Sequence, residues 1–249
     1  MREPLISVVI PAYNCARVIG RAIDSALSQS VALEILVLDD GSSDDLEAVM
    51  AGYQENEAVR FAKNPKNLGA SATRNRGVSM ARGKYVAFLD ADDYWTEDKL
   101  PRQLALMEQT GCVLCCTARE LMTPEGELTG KIIPVKETIT YRELLKHNSI
   151  NCSSVLIRTD VAREFPMHHD DSHEDYIMWL EVLRKYHAAC GINEPMLKYR
   201  LSNSGKSGNK LHSAKMTFKV YRYMGFGVLK STACFCSYAF HGVKKYFFR

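Results

Sequence analysis

After Glu194 the 249-residue chain contains no Asp or Glu, although eleven Lys and Arg follow. The net charge of +3 therefore hides two unlike parts, because all 29 acidic residues, against the other 21 Lys and Arg, lie in the first 194 positions. A chain divided in this way has different tasks at its two ends. A long N-terminal apolar run is also missing. Residues 5–10 are apolar but Pro11 stops them, which is too short for a secretory leader and leads us to expect a cytoplasmic protein. The eight cysteines lack metal spacing: Cys112, Cys115 and Cys116 fall in an apolar, strand-like run without His or Cys partners, so buried reduced thiols are expected. No Gly-x-Gly-x-x-Gly follows the first strand, which excludes the usual dinucleotide-dependent dehydrogenase. Gly205-Lys206-Ser207 ends like a P-loop, yet the position five before Gly205 is Arg200 and no apolar strand precedes it. There is no internal repeat. The basic C-terminus carries aromatics clustered with aliphatics rather than lining a basic groove, so nucleic acid is not an expected partner.

What is present is an alternation of short apolar runs and helical periodicity, in a chain with 46% hydrophobic residues, enough to bury a full core. Strands are predicted over 5–10, 34–38, 59–62, 84–89, 112–117 and 154–157. Helices are predicted over 17–29, 44–53, 71–81, 97–108, 141–146 and 174–186, with a Pro-Glu-Gly turn at 124–126 and a flexible Ser/Gly/Asn loop over 202–209. Such βαβ rhythm predicts an α/β fold with a mostly parallel sheet flanked by helices. Residues 1–110 are expected to form its nucleotide-binding part, 111–209 an acceptor-side part, and 210–249 a basic amphipathic helical extension.

In open parallel sheets ligands bind beyond the carboxyl ends of the strands. Three strands end there in polar loops: Pro11-Ala12-Tyr13-Asn14, Asp39-Asp40-Gly41-Ser42-Ser43-Asp44, and Asp90-Ala91-Asp92-Asp93. Carboxylates crowded at one edge repel, and a divalent cation among them removes the repulsion. Asp90 and Asp92 are the candidate ligands for Mg²⁺ or Mn²⁺, which would complete its shell with diphosphate oxygens and water. The plainer alternative has Asp92 or Asp93 capping the helix that follows. An aspartyl phosphatase is the rival enzyme class, but its motif has Thr or Val two residues past the second Asp, where this chain has Tyr94.

Taken together, these loops resemble glycosyltransferase family 2. The matching segments are Val8-Val9-Ile10-Pro11-Ala12-Tyr13-Asn14, Val37-Leu38-Asp39-Asp40-Gly41-Ser42-Ser43-Asp44, Asn67-Leu68-Gly69-Ala70-Ser71 with Arg74-Asn75-x-Gly77, Phe88-Leu89-Asp90-Ala91-Asp92-Asp93, and His173-Glu174-Asp175. They occur in the family's order; each alone is weak, and together they are specific. The resemblance implies a GT-A fold over 1–209 and an inverting transfer from a UDP-sugar. By it, Pro11, Ala12, Tyr13 and Asn14 line the nucleobase and ribose, and Asp40 accepts from the uracil N3–H. Arg74 supports the nucleotide end of the pocket, with an ordinary surface arginine as its alternative. Asp90, Ala91 and Asp92 hold the ribose and the metal.

In the resemblance Asp175, next to Glu174, is the general base that deprotonates the acceptor hydroxyl. A helix N-terminus favours its ionised form, and complementing the helix dipole is the alternative role for both acids. With one base and no second carboxylate nucleophile, a single displacement is expected. His168, His169 and His173 are irregularly spaced and read as acceptor-pocket or surface residues rather than a metal site. Glucose or galactose is the expected sugar, and a lipid-diphosphate-linked sugar of surface polysaccharide synthesis, such as O-antigen, the expected acceptor. A non-catalytic UDP-sugar-binding scaffold is the alternative function.

The run 223–243 is apolar and aromatic, but Lys230, Ser231 and Thr232 interrupt it, and Lys215, Lys219, Arg222, Lys244, Lys245 and Arg249 flank it. That pattern predicts a helix lying on the inner face of the cytoplasmic membrane rather than a spanning one. A helical hairpin packed on the catalytic domain, or on a second subunit of a homodimer, is the competing reading.

Overall fold

The first strand, β1 (Ile6–Ala12), is almost wholly buried on both faces, as a central strand covered by helices must be. The structure, a computed structural model, describes residues 4–201 and 210–247, with backbone only at 210, 211 and 241–247. The loop expected over 202–209 and the charges of Lys244, Lys245 and Arg249 lie outside the described residues and side chains. In chain order the elements after β1 are α1 (Ile19–Leu27), β2 (Leu33–Asp39), α2 (Leu46–Ala51), β3 (Val59–Lys63), α3 (Ala70–Met80) and β4 (Tyr85–Phe88). Then come β5 (Tyr94–Trp95), α4 (Lys99–Thr110), β6 (Leu114–Met122), β7 (Leu128–Ile133), β8 (Thr138–Thr140), α5 (Tyr141–Lys146) and β9 (Leu156–Arg158). The chain closes with α6 (Thr159–Glu164), α7 (Glu174–Tyr186), β10 (Ala188–Arg200), α8 (Lys210–Tyr223) and α9 (Val228–Phe247).

These strands form a mixed sheet in the order β3-β2-β1-β4-β9-β6-β10-β5, with β7 added beside β6 and β8 beside β10. Pairing is parallel from β3 to β4 and between β6 and β10, whereas β9 runs antiparallel to both its neighbours. Alternate side chains divide the core into two layers. Val8, Ile10, Ile35 and Val37 pack with Ile19 and Ile23 of α1 and Leu100 of α4. Val9, Leu36, Leu38 and Phe88 pack with Val78 of α3 and Trp179 and Leu180 of α7. Helix α3 comes very close to the sheet: a Cβ on Gly77 would sit 2.4 Å from Val9 Cγ1. At the edge opposite the acidic loops, Glu34 is buried. Burial would raise its carboxyl, but hydrogen bonds from Ser7, Arg82 and Arg60 outweigh it and hold the group below its ordinary range.

Strands β5, β7 and β8 and helix α6 fall where the sequence reading had no element, and two further features depart from it. The long strand β10 was not expected, because Asn193, Glu194 and Pro195 interrupt its apolar pattern; the register with β6 shifts between Ile192 and Leu197, so the strand carries them as an irregularity. Cys112 is also not a free thiol. It lies just before β6 and is disulfide-bonded to Cys190 at the start of the adjoining β10, with Cα atoms 6.3 Å apart, while Cys115 and Cys116 are buried thiols as expected.

The C-terminal helices form a hairpin. Helix α8 buries Met216, Val220 and Tyr221, and Met224 just after it is buried as well. Tyr176 of α7 and Tyr221 donate to the Leu144 and Leu145 carbonyls of α5 at 2.6 and 2.8 Å, so the hairpin and the helices on the sheet share one contact surface. No helix among the described residues is long and apolar enough to cross a membrane.

Candidate functional site

Because β1, β2 and β4 are parallel and adjacent, the loops that leave their carboxyl ends meet at one edge. The Asp40 amide donates to the Ala12 carbonyl at 2.8 Å, which joins the first two loops. Asn14, with a φ of 49°, accepts from the Ser43 amide at 2.8 Å and donates its own amide to Ser42 Oγ at 3.0 Å. Asn14 therefore fixes the shape of the first loop, and Tyr13 beside it is 53% exposed. Asp40 is buried, and its carboxylate accepts from the Leu68 amide (2.8 Å), the Gly69 amide (2.9 Å) and Asn64 Nδ2 (2.7 Å). The same residue assigned to the nucleobase thus also shapes the loop that opens α3.

Arg74 is not a surface arginine. It is buried, and its guanidinium donates to Asp90 Oδ1 at 2.6 Å and to Glu174 Oε1 at 2.9 Å, while Nε has no hydrogen-bond partner among the described residues. One forked side chain thereby ties the acidic edge to the Glu174-Asp175 pair. Asp170 makes a second tie. It accepts from the amide and hydroxyl of Ser71, at 3.0 and 2.7 Å, in the first turn of α3. A Cβ on Gly69, where φ is +88°, would stand 2.6 Å from Asp170 Oδ2, so only glycine fits there.

At the acidic edge, burial and then the Asp90 charge push Asp92 up to about 6. Burial, followed by the charges of Asp92 and Asp90, raises Asp93 well above the carboxylate range. Asp93 accepts from the Arg200 amide at 2.8 Å, and the Arg200 guanidinium donates to the Asp92 carbonyl at 3.1 Å. Neither Asp92 nor Asp93 caps α4, whose N-cap is Asp98 without a side-chain bond. Among the described residues no three His, Cys, Asp or Glu side chains converge as a metal site. The pair Asp90 and Asp92 nonetheless fits Mg²⁺ or Mn²⁺, which needs only one or two carboxylates when phosphate oxygens and water fill its shell. The Asp90 charge, which adds to burial in raising Asp92, is what such a cation offsets.

Asp175 stands in the first turn of α7 and is half-buried, with Oδ1 accepting from the Tyr176 amide at 2.7 Å. The helix N-terminus does not dominate its titration. Burial, then the Glu174 charge, pushes the group up to about 7 against the opposing pull of Arg74. That is the range a general base needs near neutral pH. Among the described residues the histidines make no metal cluster: His168 and His169 meet edge to face with centroids 6.3 Å apart, His169 stacks on Tyr223 at 3.7 Å, and His173 Nε2 lies 3.5 Å from Ser213 Oγ.

Sequence reasoning missed Ser153, Asp170 and Arg200. Ser153 Oγ accepts the Asp90 amide at 3.1 Å. Behind it, the Trp95 indole donates to the Ser153 carbonyl, and Gln103, paired with the buried Lys99, donates to that of Ser154. Only the polar cluster Asn151-Cys152-Ser153-Ser154 directly before a strand could have signalled this support. A separate cavity, lined by Thr110, Cys112, Glu137, Ala188 and Gly191, contains none of the predicted site residues.

Comparison with known proteins gives a consistent result. The family model described as Glycosyl transferase family 2 matches residues 7–164. The glycosyltransferase TuaG of Bacillus subtilis (strain 168), whose name places it in teichuronic acid biosynthesis, is 36% identical over 246 residues, covering 98% of each chain. The Escherichia coli UDP-Glc:alpha-D-GlcNAc-diphosphoundecaprenol beta-1,3-glucosyltransferase WfaP is 31% identical over 245 residues, covering 98% of this chain and 96% of the relative. Among solved structures, Staphylococcus aureus TarS residues 1–349 in complex with UDP-GlcNAc superposes with a TM-score of 0.73 at 16% identity, covering 94% of this chain and 71% of that one. This likeness shows a shared GT-A architecture.

Proposed function

The chain belongs to glycosyltransferase family 2, and from that premise we propose that it moves a hexose, glucose or galactose, from a UDP-sugar to a hydroxyl of a lipid-diphosphate-linked sugar with inversion at the anomeric carbon. The observation that carries this reading is the buried Arg74 fork, which brings the Asp90 edge and the Glu174-Asp175 pair within one side chain of each other. WfaP, whose name specifies a UDP-glucose donor and a lipid-diphosphate acceptor, supports the choice of substrates.

Pro11, Ala12, Tyr13 and Asn14 line the uridine in this reading. Asp40 accepts from its N3–H with capacity left beyond its three internal donors, since a carboxylate has about four acceptor sites. Asp92, with Asp90, holds Mg²⁺ or Mn²⁺, and the bound cation supplies positive charge against the leaving diphosphate. Arg74 supports the nucleotide end of the pocket by keeping Asp90 and Glu174 in place. Asp175 takes the proton from the acceptor hydroxyl as its oxygen bonds to the anomeric carbon, and the bond from that carbon to the diphosphate breaks on the opposite face, releasing UDP. A protein serving a lipid-linked acceptor works at the inner face of the cytoplasmic membrane, and the C-terminal segment is the part that would meet it.

The test is UDP release from a panel of UDP-sugars offered with GlcNAc- and GalNAc-diphosphate lipids, with the anomeric configuration of the product read by NMR. A β-linked product from an α-linked donor is expected. Donor binding without acceptor-dependent UDP release would instead mark a UDP-sugar-binding scaffold, and a retained configuration would overturn the single displacement.

A further inference from the structure

Helix α9 has two faces, and both are apolar. Ser231, Cys234, Phe235 and Tyr238 recur at helical spacing and face the protein. The Phe235 ring lies 6.2 Å from Phe218, and that of Tyr238 lies 6.2 Å from Tyr176 and 5.6 Å from His147. On the opposite side Leu229, Ala233, Cys236 and Phe240 repeat at intervals of four, three and four, and all are exposed, Leu229 at 89% and Phe240 at 68%. No Lys, Arg, Asp or Glu occurs between Lys230 and Lys244. An exposed apolar stripe on a helix whose other face is already packed is one that water does not favour, and it marks a surface that something covers.

We propose that this outer stripe lies in the interfacial layer of an anionic lipid bilayer, with α9 parallel to the membrane plane and its inner face still seated on α5, α7 and α8. The proposal rests on the lipid-linked acceptor reading and deepens it by naming the surface that docks. Charge selects lipid over a second copy of the chain. Lys230 stands at one end of the stripe and Lys244 and Lys245 follow the other, with no acidic residue anywhere after Glu194. A two-fold pairing of such a surface with itself brings like charges together, whereas anionic headgroups neutralise them. Length selects lying on the membrane over spanning it, since none of the described helices is long and apolar enough to cross.

The docked hairpin is also fixed to the catalytic half. Lys219 Nζ and Tyr223 Oη donate to Asp171 at 2.6 and 2.9 Å, and Tyr223 stacks on His169. Those two residues belong to the loop that leads into Glu174 and Asp175. An α9 held in the membrane surface therefore sets the height of the base above the headgroups where a lipid-diphosphate sugar stands.

The experiment is flotation of the full-length protein with vesicles of equal parts phosphatidylglycerol and phosphatidylethanolamine, and with phosphatidylcholine vesicles, at low and high salt. The wild-type chain should float with the anionic vesicles and less so in high salt. The double variant Leu229→Asp/Phe240→Asp should lose vesicle partitioning by about tenfold or more, because two large apolar side chains no longer enter the interface. Both substitutions are on the solvent side, and an unchanged melting transition identifies the variant as folded; Lys230→Glu, which weakens binding to anionic vesicles alone, is the second variant. Equal flotation of wild type and double variant overturns the proposal. So does a wild-type dimer that the double variant splits without any change in flotation, which would make a second copy the occupant. UDP release with a short-chain, water-soluble acceptor separates the two readings: transfer without flotation removes the docking surface alone, and flotation without transfer removes the proposed reaction alone.

Discussion

Arg74 Nη1 and Glu174 Oε1 lie 2.9 Å apart although one hundred residues separate them in the chain. Both groups are buried, and the second guanidinium nitrogen is committed to Asp90. Arg74→Ala should cost about 3–5 kcal/mol of stability, because it removes the cation paired with the buried Glu174 carboxylate. Arg74→Lys keeps the charge but cannot serve two carboxylates from a fork, so it should recover part of the stability and little of the turnover. Urea denaturation with kcat for the same variants measures both effects. A loss of activity with an unchanged unfolding midpoint would contradict a bridging role.

Asp175→Asn should lower kcat about a hundredfold or more with donor affinity nearly unchanged, the range general-base catalysis supplies. Glu174→Gln should hurt less. Turnover of Asp175→Asn at close to the wild-type rate would move the base to Glu174 or Asp171.

The pH dependence has a definite sign. Asp175 is pushed up to about 7, mainly by burial and then by Glu174. A base must be ionised, so kcat should fall as pH drops through about 7. Stability from this group runs the other way. A carboxyl whose folded value exceeds its unfolded one binds more protons when folded between roughly 4 and 7, so its contribution declines as pH rises across that window. Asp175→Asn should flatten both the rate profile and that stability slope. An unaltered rate profile in a folded variant would remove Asp175 from the titration.

Chelation should abolish transfer, with Mg²⁺ or Mn²⁺ restoring it, and Asp92→Ala should remove turnover and weaken UDP binding. Asp93 should behave differently. It is buried and accepts from the Arg200 amide, so Asp93→Asn should be tolerated while Asp93→Ala lowers the melting temperature. Full activity in excess EDTA would end the assignment of a cation to this edge.

Asp40→Ala should weaken UDP binding and relax selectivity between uridine and cytidine nucleotides. Because Asp40 also holds the Leu68 and Gly69 amides and Asn64, the same variant should lose stability, with charge-assisted hydrogen bonds worth about 1.5–3 kcal/mol each. Calorimetry with UDP and CDP, beside a thermal melt, separates the two losses. Unchanged UDP affinity would remove the nucleobase contact.

Much of this was legible in the residues because local rules and tertiary packing agree. The apolar runs at 5–10 and 34–38 and the periodic helix over 174–186 fall where strands β1 and β2 and helix α7 stand. The parallel pairing then brings Asn14, Asp40 and Asp90 to one edge. What was not legible arises from contacts between distant segments. The grip of Asp170 on Ser71, of Ser153 on Asp90 and of Arg200 on Asp93 has no local pattern, since each depends on which strands become neighbours. The Asp175 titration was misjudged for a related reason: the helix end is visible in sequence, while the burial that outweighs it is a property of the packed molecule. Strand β10 escaped because its irregularity at Pro195 imitates a turn.

The position of β9 between β4 and β6 has a consequence for biosynthesis. A chain leaving the ribosome completes β3, β2, β1 and β4 early, but the strand that pairs with the free side of β4 is made about 70 residues later. At roughly 5–20 residues per second, that buried-to-be edge stays open for several seconds of translation. Nascent chains stalled before residue 156 should accordingly recruit chaperones or aggregate, whereas chains released past β10 should not, making the second half of the molecule a guardian of the first while both are still being made.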